Sequence, residues 1–354
     1  RIKLIMAYTT INKSSDYFNP KLYTGNASTN AITGVGFQPD FTWIKGRGTT
    51  NAHMLFDSRR GVGNALNSNE LNASASVSTA FTAFNNDGFS VGNYSETNTN
   101  NENYVSWNWK GGTTSGISAG SQNISPASYS ISTAAGFGVY KWSRSGASTS
   151  DYFSHGLGIT PTIAIQKRTD ASQDWYVNYT FGVAAANQNV HLNRTNGFEN
   201  DSTNVPTSTN YTPKSPETGD YITYLFAPKP GFSSFGLYFS NGNADGPFVY
   251  TGFKPAFLMV KNLSDGGGSS NNGGNWKMLD SARDTFNVAS KVLLPDNSAA
   301  ETSTTAHYTD FLSNGFKIRN TSAQMNQGTN FQYLYMAFAE APLVGTNNIP
   351  ATAR

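Results

Sequence analysis

Four histidines and 22 acidic residues are the groups in this chain that could move protons or hold metal ions, and their spacing decides what they can do. His53, His155, His191 and His307 are scattered and never pair at metal-ligand spacing. Each reads as a lone surface or half-buried histidine. A glycosidase needs two carboxylates flanking one bond, and no strand-like run carries closely spaced carboxylates. Asp57 and Asp280 recur, each with an arginine three residues on, Arg60 and Arg283, a spacing that makes a salt bridge or a turn cap. No Gly-x-Ser-x-Gly elbow and no Gly-Lys-Ser/Thr phosphate loop appears. The sequence therefore offers no catalytic, cofactor or metal residue, and the chain is not expected to be an enzyme. The segments "NGNADGPF" (241 to 248) and "SDGGGSSNNGG" (264 to 274) hold oxygen ligands without the number or spacing of a calcium loop. Asn-x-Ser/Thr matches follow from a chain crowded with Asn, Ser and Thr. Five tryptophans fall in strand patterns; Trp142, in "YKWSRSG", is the candidate for an exposed platform on which a sugar stacks.

The elements that must position these residues repeat three times. "FQPDFTWIKGR" (37 to 47), "ITPTIAIQKRT" (159 to 169) and "FKPAFLMVKNL" (253 to 263) each place a lysine six residues after a proline. The prolines are Pro39, Pro161 and Pro255; the lysines are Lys45, Lys167 and Lys261. Between them apolar residues alternate, which is strand periodicity, and the proline belongs at the strand entrance where its missing N–H costs no ladder bond. "HMLFDSRR" (53 to 60) recurs as "WKMLDSARD" (276 to 284), with "DWYVNYT" (174 to 180) as the weaker second match. "FNNDGFSV" (84 to 91) and "FLSNGFKI" (311 to 318) each read as two strands around an Asn/Asp-Gly turn. Each copy closes on an aromatic strand anchored by Tyr104, Tyr221 or Tyr333, and one face of that strand is apolar in all three copies. A sheet with one apolar face must bury it against another sheet. The expectation is an all-β chain of three tandem β-sandwich or jelly-roll, lectin-like units. They are placed at 18–112, 134–230 and 231–342, with a linker at 113–133 and extended arms at 1–17 and 343–354.

Composition agrees. Charged residues are 13%, aromatics 13%, and glycines number 34 in 354 residues, which favours turns and strands over helices. A net charge of +2 without a basic cluster excludes the electrostatic footprint of a nucleic-acid binder. No cysteine is present, so neither disulfides nor thiolate metal sites enter. No run approaches the roughly 18 apolar residues of a membrane span, and a soluble chain without membrane insertion is expected. Because Met6 opens "MAYTTINKSSDYF", residues 1 to 5 are expected to lie upstream of a start codon or to follow a cleavage.

At "GFQPDFTWIKGR", "DSRRG", "DGF" and "YVSWNWKGG" the chain resembles an uncharacterised repeat of structural proteins from marine tailed bacteriophages. The first copy matches best and the third well, while the second lacks the Asp-Ser-x-Arg and Asp-Gly-Phe elements. The resemblance implies a virion structural protein exposed on the particle surface, outside the cell, as a fibre or head-decorating component. Its partners would be itself, as a homo-oligomer with a trimer as first choice, other virion proteins and host surface glycans. A secreted bacterial adhesin or glycan-binding module shares the expected fold and is the alternative; a polysaccharide-degrading enzyme is third.

Overall fold

The computed structural model describes residues 9–117, 123–146, 148, 150–181, 188–200, 206–214, 217–263 and 274–344. The chain is all-β, and its sheets are antiparallel. Among the described residues no helix is long and apolar enough to cross a membrane.

The first large sheet has the order Phe18–Thr24, Asn103–Trp109, Phe41–Gly46, Met54–Asp57. The last large sheet repeats it with Ser233–Phe239, Gln332–Pro342, Phe253–Asn262 and Lys277–Asp280. A middle sheet of seven strands contains the same order once more, as Phe137–Arg144, Gly219–Phe226, Ile163–Arg168 and Tyr176–Tyr179. Ile124–Ser132 extends it at one edge, Gln188–His191 and Glu199–Asn200 at the other. In every copy the closing strand lies between the first strand and the Pro-to-Lys strand, paired with both.

The alternation of a strand sends successive side chains to opposite faces, and here both faces of the closing strands are buried. On one face, Tyr104, Ile44 and Phe56 pack against Ile32 and Phe89 of a small sheet built from Asn30–Thr33, Gly88–Val91 and Ala83–Asn85. Tyr333, Leu258 and Leu279 do the same with Val249, Phe311 and Phe316 in the last copy. The other face, Val105, Trp107 and Trp109 with Ile222, Tyr224 and Phe226 and with Leu334, Met336 and Phe338, was expected to meet a second sheet of its own unit. Instead all nine residues join one cluster shared by the three large sheets. At its centre the last apolar residues of the three closing strands meet pairwise. Ring centroids are 6.2 Å apart for Trp109 and Phe226, 5.7 Å for Trp109 and Phe338, and 5.8 Å for Phe226 and Phe338. The interplanar angles of 66°, 75° and 66° are the edge-to-face geometry that aromatic quadrupoles favour. The copies thus close around a threefold triangle of rings.

Three expectations about the connections are corrected. The segment 113–133 contains the nine-residue strand Ile124–Ser132, and Thr113 bridges Ile131, so it is sheet as well as linker. Pro255 lies inside the strand Phe253–Asn262, not at its entrance; the register shifts on both sides of it, and that irregularity absorbs the absent N–H. The described part of the N-terminal arm is not extended: it has a 3-10 turn at Ser14–Asp16 and buries Ile11 in the shared core. Residues 1–8 and 345–354, and the proposed flexible tip at 264–273, lie outside the described residues.

Candidate functional site

The recurring aspartates turn out to work between copies. Asp57 Oδ1 accepts from the backbone N–H groups of Arg59 and Arg60 at 3.1 and 2.8 Å, which caps the turn. Its Oδ2 accepts from Arg60 Nε at 2.5 Å and from the hydroxyl of Tyr224, in the second copy, at 2.9 Å. Asp280 repeats this: Oδ1 caps Ala282 and Arg283 at 3.1 and 2.8 Å, while Oδ2 accepts from Arg283 Nε at 2.6 Å and from Trp107 Nε1, in the first copy, at 3.0 Å. Both expected readings, salt bridge and cap, hold together. Sequence reasoning did not reveal that the carboxylate's remaining lone pair faces a neighbouring copy.

Register explains why the second copy lacks the motif. Phe41 pairs Asp57, Phe257 pairs Asp280 and Ile163 pairs Tyr179, so Tyr179 occupies the aspartate position. Likewise Trp43 pairs Trp107, Ile165 pairs Tyr224 and Met259 pairs Met336, so Met336 occupies the donor position. The same step around the ring therefore sets methionine, which has nothing to donate, against the copy that has no acid. The loss is matched on both sides.

The repeated lysines are fully buried and hold backbone carbonyls. Lys45 Nζ donates to Gly46 O and Thr49 O at 2.8 and 2.9 Å, within its own copy. Lys167 Nζ reaches Leu71 O of the first copy, and Lys261 Nζ reaches Thr195 O of the second, at 2.9 and 2.8 Å. Burial lowers the pKa of Lys45 and of Lys167 to about 8. Trp175 Nε1 and Trp276 Nε1 add donors across the same seams, to Asn67 O and His191 O at 2.8 and 2.9 Å.

All four histidines are buried, not at the surface or half below it as expected. His53 accepts Trp43 Nε1 at 2.9 Å, and burial holds its pKa well below the usual value. His155 Nδ1 accepts from Leu157 N at 3.1 Å, which leaves Nε2 as the donor to Thr207 O at 3.0 Å. His191 faces Glu199, and burial pushes His307 down to about 4. Among the described residues no three His, Asp or Glu side chains converge as a metal-binding group. An opening of about 390 Å³, lined by Phe198 and residues 329 to 332, contains no charged side chain.

Trp142 is not a surface platform: it is 0% exposed. It stacks on Tyr221 with centroids 4.4 Å apart and an interplanar angle of 10°, and its Nε1 donates to Thr223 Oγ1 at 3.0 Å. Tyr23 on Tyr104 and Tyr238 on Tyr333, both at 5.0 Å and 11°, are the same cross-strand pair in the other copies. The anchor tyrosines thus select an aromatic partner, and in the middle copy that partner is tryptophan.

Exposed aromatics occur elsewhere, on the small sheet of the third copy, where Phe248 is 45% and Tyr250 55% exposed. Register sets two outward rows, Phe248–Lys317–Asp310 and Tyr250–Gly315–Leu312. Alongside, Asn287 bonds both the N–H and the C=O of Phe311 and Ala289 bridges Thr309, so the segment with Phe286, 78% exposed, and Val288 borders the sheet. A Cβ at Gly315 would collide with the backbone oxygen of Val249 and lie 3.1 Å from Phe248 Cε2, so close approach of the neighbouring strand's backbone leaves room for glycine alone. Lys317 pairs with Asp245 at 2.9 Å, and Arg319 lies 3.7 and 3.6 Å from Asp245 and Asp310. These aromatics escape a reading that takes "NGNADGPF" only as a source of oxygen ligands. The signal was the Phe-Val-Tyr alternation, together with "TFNV" (285 to 288), four residues that the first copy lacks between its aspartate and the next strand.

Residues 13–342 match the family described as Domain of unknown function (DUF7483). No curated protein and no solved structure matches the chain.

Proposed function

The chain belongs to this family of unknown function, and from that premise we propose that it is a bacteriophage virion structural protein, exposed on the particle as a fibre or capsid-decorating component. The observation that carries the reading is the triangle of Trp109, Phe226 and Phe338 at the centre of one core shared by three copies. A chain whose recurring motifs serve cohesion suits a part that must stay folded outside a cell. Its recurring acids, lysines and tyrosines are all committed to caps, seams and stacks. The threefold closure expected of a homotrimer is available inside one chain, so in this reading the chain acts as its own trimer. Its outer surfaces then meet further copies, other virion proteins and host glycans.

Mass spectrometry of banded virions, with gold-labelled antibody on unbroken particles, tests the proposal. The expected result is stoichiometric peptides and label on the particle exterior. Peptides confined to the soluble lysate would overturn it.

A further inference from the structure

One position closes the seam in every copy, and in the first copy it is titratable. Leu55 bridges Leu66, Val177 pairs Val190 and Met278 bridges Leu293, so these three pairs are equivalent. Two residues before each first member stand His53, Trp175 and Trp276; directly after each second member stand Asn67, His191 and Leu294. Trp175 of the second copy bonds Asn67 O of the first, and Trp276 of the third bonds His191 O of the second. One more step around the ring sets His53 of the first copy against Leu294 of the third. Here the pattern changes. Imidazole is shorter than indole, and His53 Nε2 faces the Leu294 carbonyl without completing a hydrogen bond.

What holds the imidazole is Trp43, which lies edge-on to it and donates Nε1–H to Nδ1 at 2.9 Å. That bond fixes the tautomer, since a ring nitrogen that accepts carries no proton. A second proton has to go on Nδ1, where it meets the Trp43 N–H head-on. His53 is 0% exposed, so the resulting cation has no water around it. Among the described residues, the charged groups that act on the ring are cationic: Lys45 on the neighbouring strand of the same copy, and Arg283 from the turn after Lys277–Asp280 of the third. The carboxylates nearby are already committed, Asp280 to Arg283 and Glu301 to Arg283 and Arg47.

We propose that His53 is an acid-operated latch on the seam between the first and third copies: its protonation releases Trp43, and the ring of copies opens there while the seams closed by tryptophan stay shut. Burial holds the pKa of the closed seam well below the ordinary 6.5. An open seam therefore binds the proton more tightly, and the stability of the closed seam is complete above about pH 6.5 and falls as the pH drops below it. The other histidines do not act on a seam in this way. His191 lends the second seam its backbone oxygen, and its ring has Glu199 at 3.3 Å to balance a charge. His155 bonds Thr207 O within the second copy, and His307 faces Lys277 within the third. The inference is independent of the virion role.

The chain has no cysteine, so Ser68→Cys supplies a single thiol at this seam, where Ser68 is buried and its hydroxyl donates to Pro295 O at 2.6 Å. Its reaction with dithiodipyridine, a reagent active in acid, is timed against glutathione at about pH 7.5 and about pH 5. With an open-seam imidazole titrating near 6.5, opening grows by up to about 30-fold between these values. The expected rise in relative rate is about tenfold or more, and less than about twofold when His53→Asn is added, whose Oδ1 still accepts from Trp43 but takes no proton in this range. Hydrogen exchange of the unmodified chain, corrected for the intrinsic effect of pH, reads the same opening without a substitution. Glu301 N, which donates to Arg47 O across this seam, should lose protection in acid, while Gln173 N, which donates to Leu71 O across the seam of the first and second copies, keeps it. A relative thiol rate that does not change with pH, or an acceleration that survives His53→Asn, overturns the proposal. Equal loss of protection at Glu301 and Gln173 also overturns it, by showing that acid unfolds the whole ring.

Discussion

The seam between the first and third copies and the seam between the second and third bury the same kind of strand face, yet they are held differently. At the first, Asp280 joins Arg283 and Trp107, Arg283 lies over the Trp107 ring at 5.5 Å, and Glu301 bonds both Arg283 and Arg47. At the second, the corresponding positions are Tyr179 and Met336, and the polar links across the seam among the described residues include Trp276 to His191 O and Lys261 to Thr195 O. The covalent chain accounts for the difference. The second and third copies are joined directly, Phe226 being followed within seven residues by the strand that starts at Ser233, whereas Trp107 and Asp280 are 173 residues apart. A short connector keeps its neighbours at high effective concentration; closing the ring between chain-distant copies must be supported by the contacts themselves. The ionic network sits at the seam that the chain does not bridge, and its counterpart, Asp57 with Arg60 and Tyr224, at the seam joined by the longer connector between Trp109 and Phe137.

Asp280→Ala is therefore expected to have the largest effect. It takes from the buried Arg283 its nearest carboxylate, leaving Glu301 at 3.2 Å, and deprives Trp107 Nε1 of its acceptor; breaking a buried pair by removing one partner costs about 3–5 kcal/mol, which is the upper bound while Glu301 stays. Urea unfolding should show a large fall in midpoint. Tyr179→Phe, at the matching position, removes only the hydroxyl bond to Gln188 Oε1 and should cost about 1 kcal/mol. Equal shifts for the two variants would break the comparison. Tyr224→Phe comes next. It removes one hydrogen bond to the Asp57 carboxylate while Arg60 stays paired, so the expected cost is about 1.5–3 kcal/mol, with an unchanged dependence on denaturant slope.

Much of this architecture was legible because strand chemistry is local. The alternation after each proline, the Asn/Asp-Gly hairpins and the apolar face of each closing strand follow from a period of two and from turn stereochemistry. The structure has a strand at each of them. What the sequence could not say is which surface an apolar face meets. Trp107, Tyr224 and Met336 look like members of three separate cores until the triangle of Trp109, Phe226 and Phe338 shows that they share one. Trp142 misled for the converse reason. A ring beside Ser and Arg in "KWSRSG" reads as exposed, but cross-strand register, a non-local property, sets it on Tyr221. The outward aromatics of the third copy were visible only by difference from the first, and that difference acquires meaning once register shows that the two faces are equivalent.

The smallest expected effect separates two lysines that the repeat makes equivalent. Lys45 and Lys167 have pKa values lowered to about 8 by burial, against roughly 10.4 for an unfolded lysine. Below pH 8 each is protonated in both states, and the fold bears the whole cost of burying the charge. Between about pH 8 and 10 the folded chain releases protons that the unfolded chain still holds, so stability must rise with pH through that window, by about 1–3 kcal/mol for each lysine. Above about pH 10 the trend reverses, because Tyr104 and Tyr179 are held neutral in the fold by burial and ionise on unfolding. Chemical denaturation across pH 7 to 10 should show this rise in the parent chain and a smaller one in Lys45→Met and Lys167→Met. The two variants should part at neutral pH. Lys45 bonds carbonyls of its own copy, so its replacement loosens one loop, whereas Lys167 ties Leu71 of the first copy to Gln173 of the second. If Lys167→Met is no more destabilising than Lys45→Met at pH 7, then the lysines stabilise single loops rather than seams. The cohesion between copies would then rest on the central rings and the aspartate network alone.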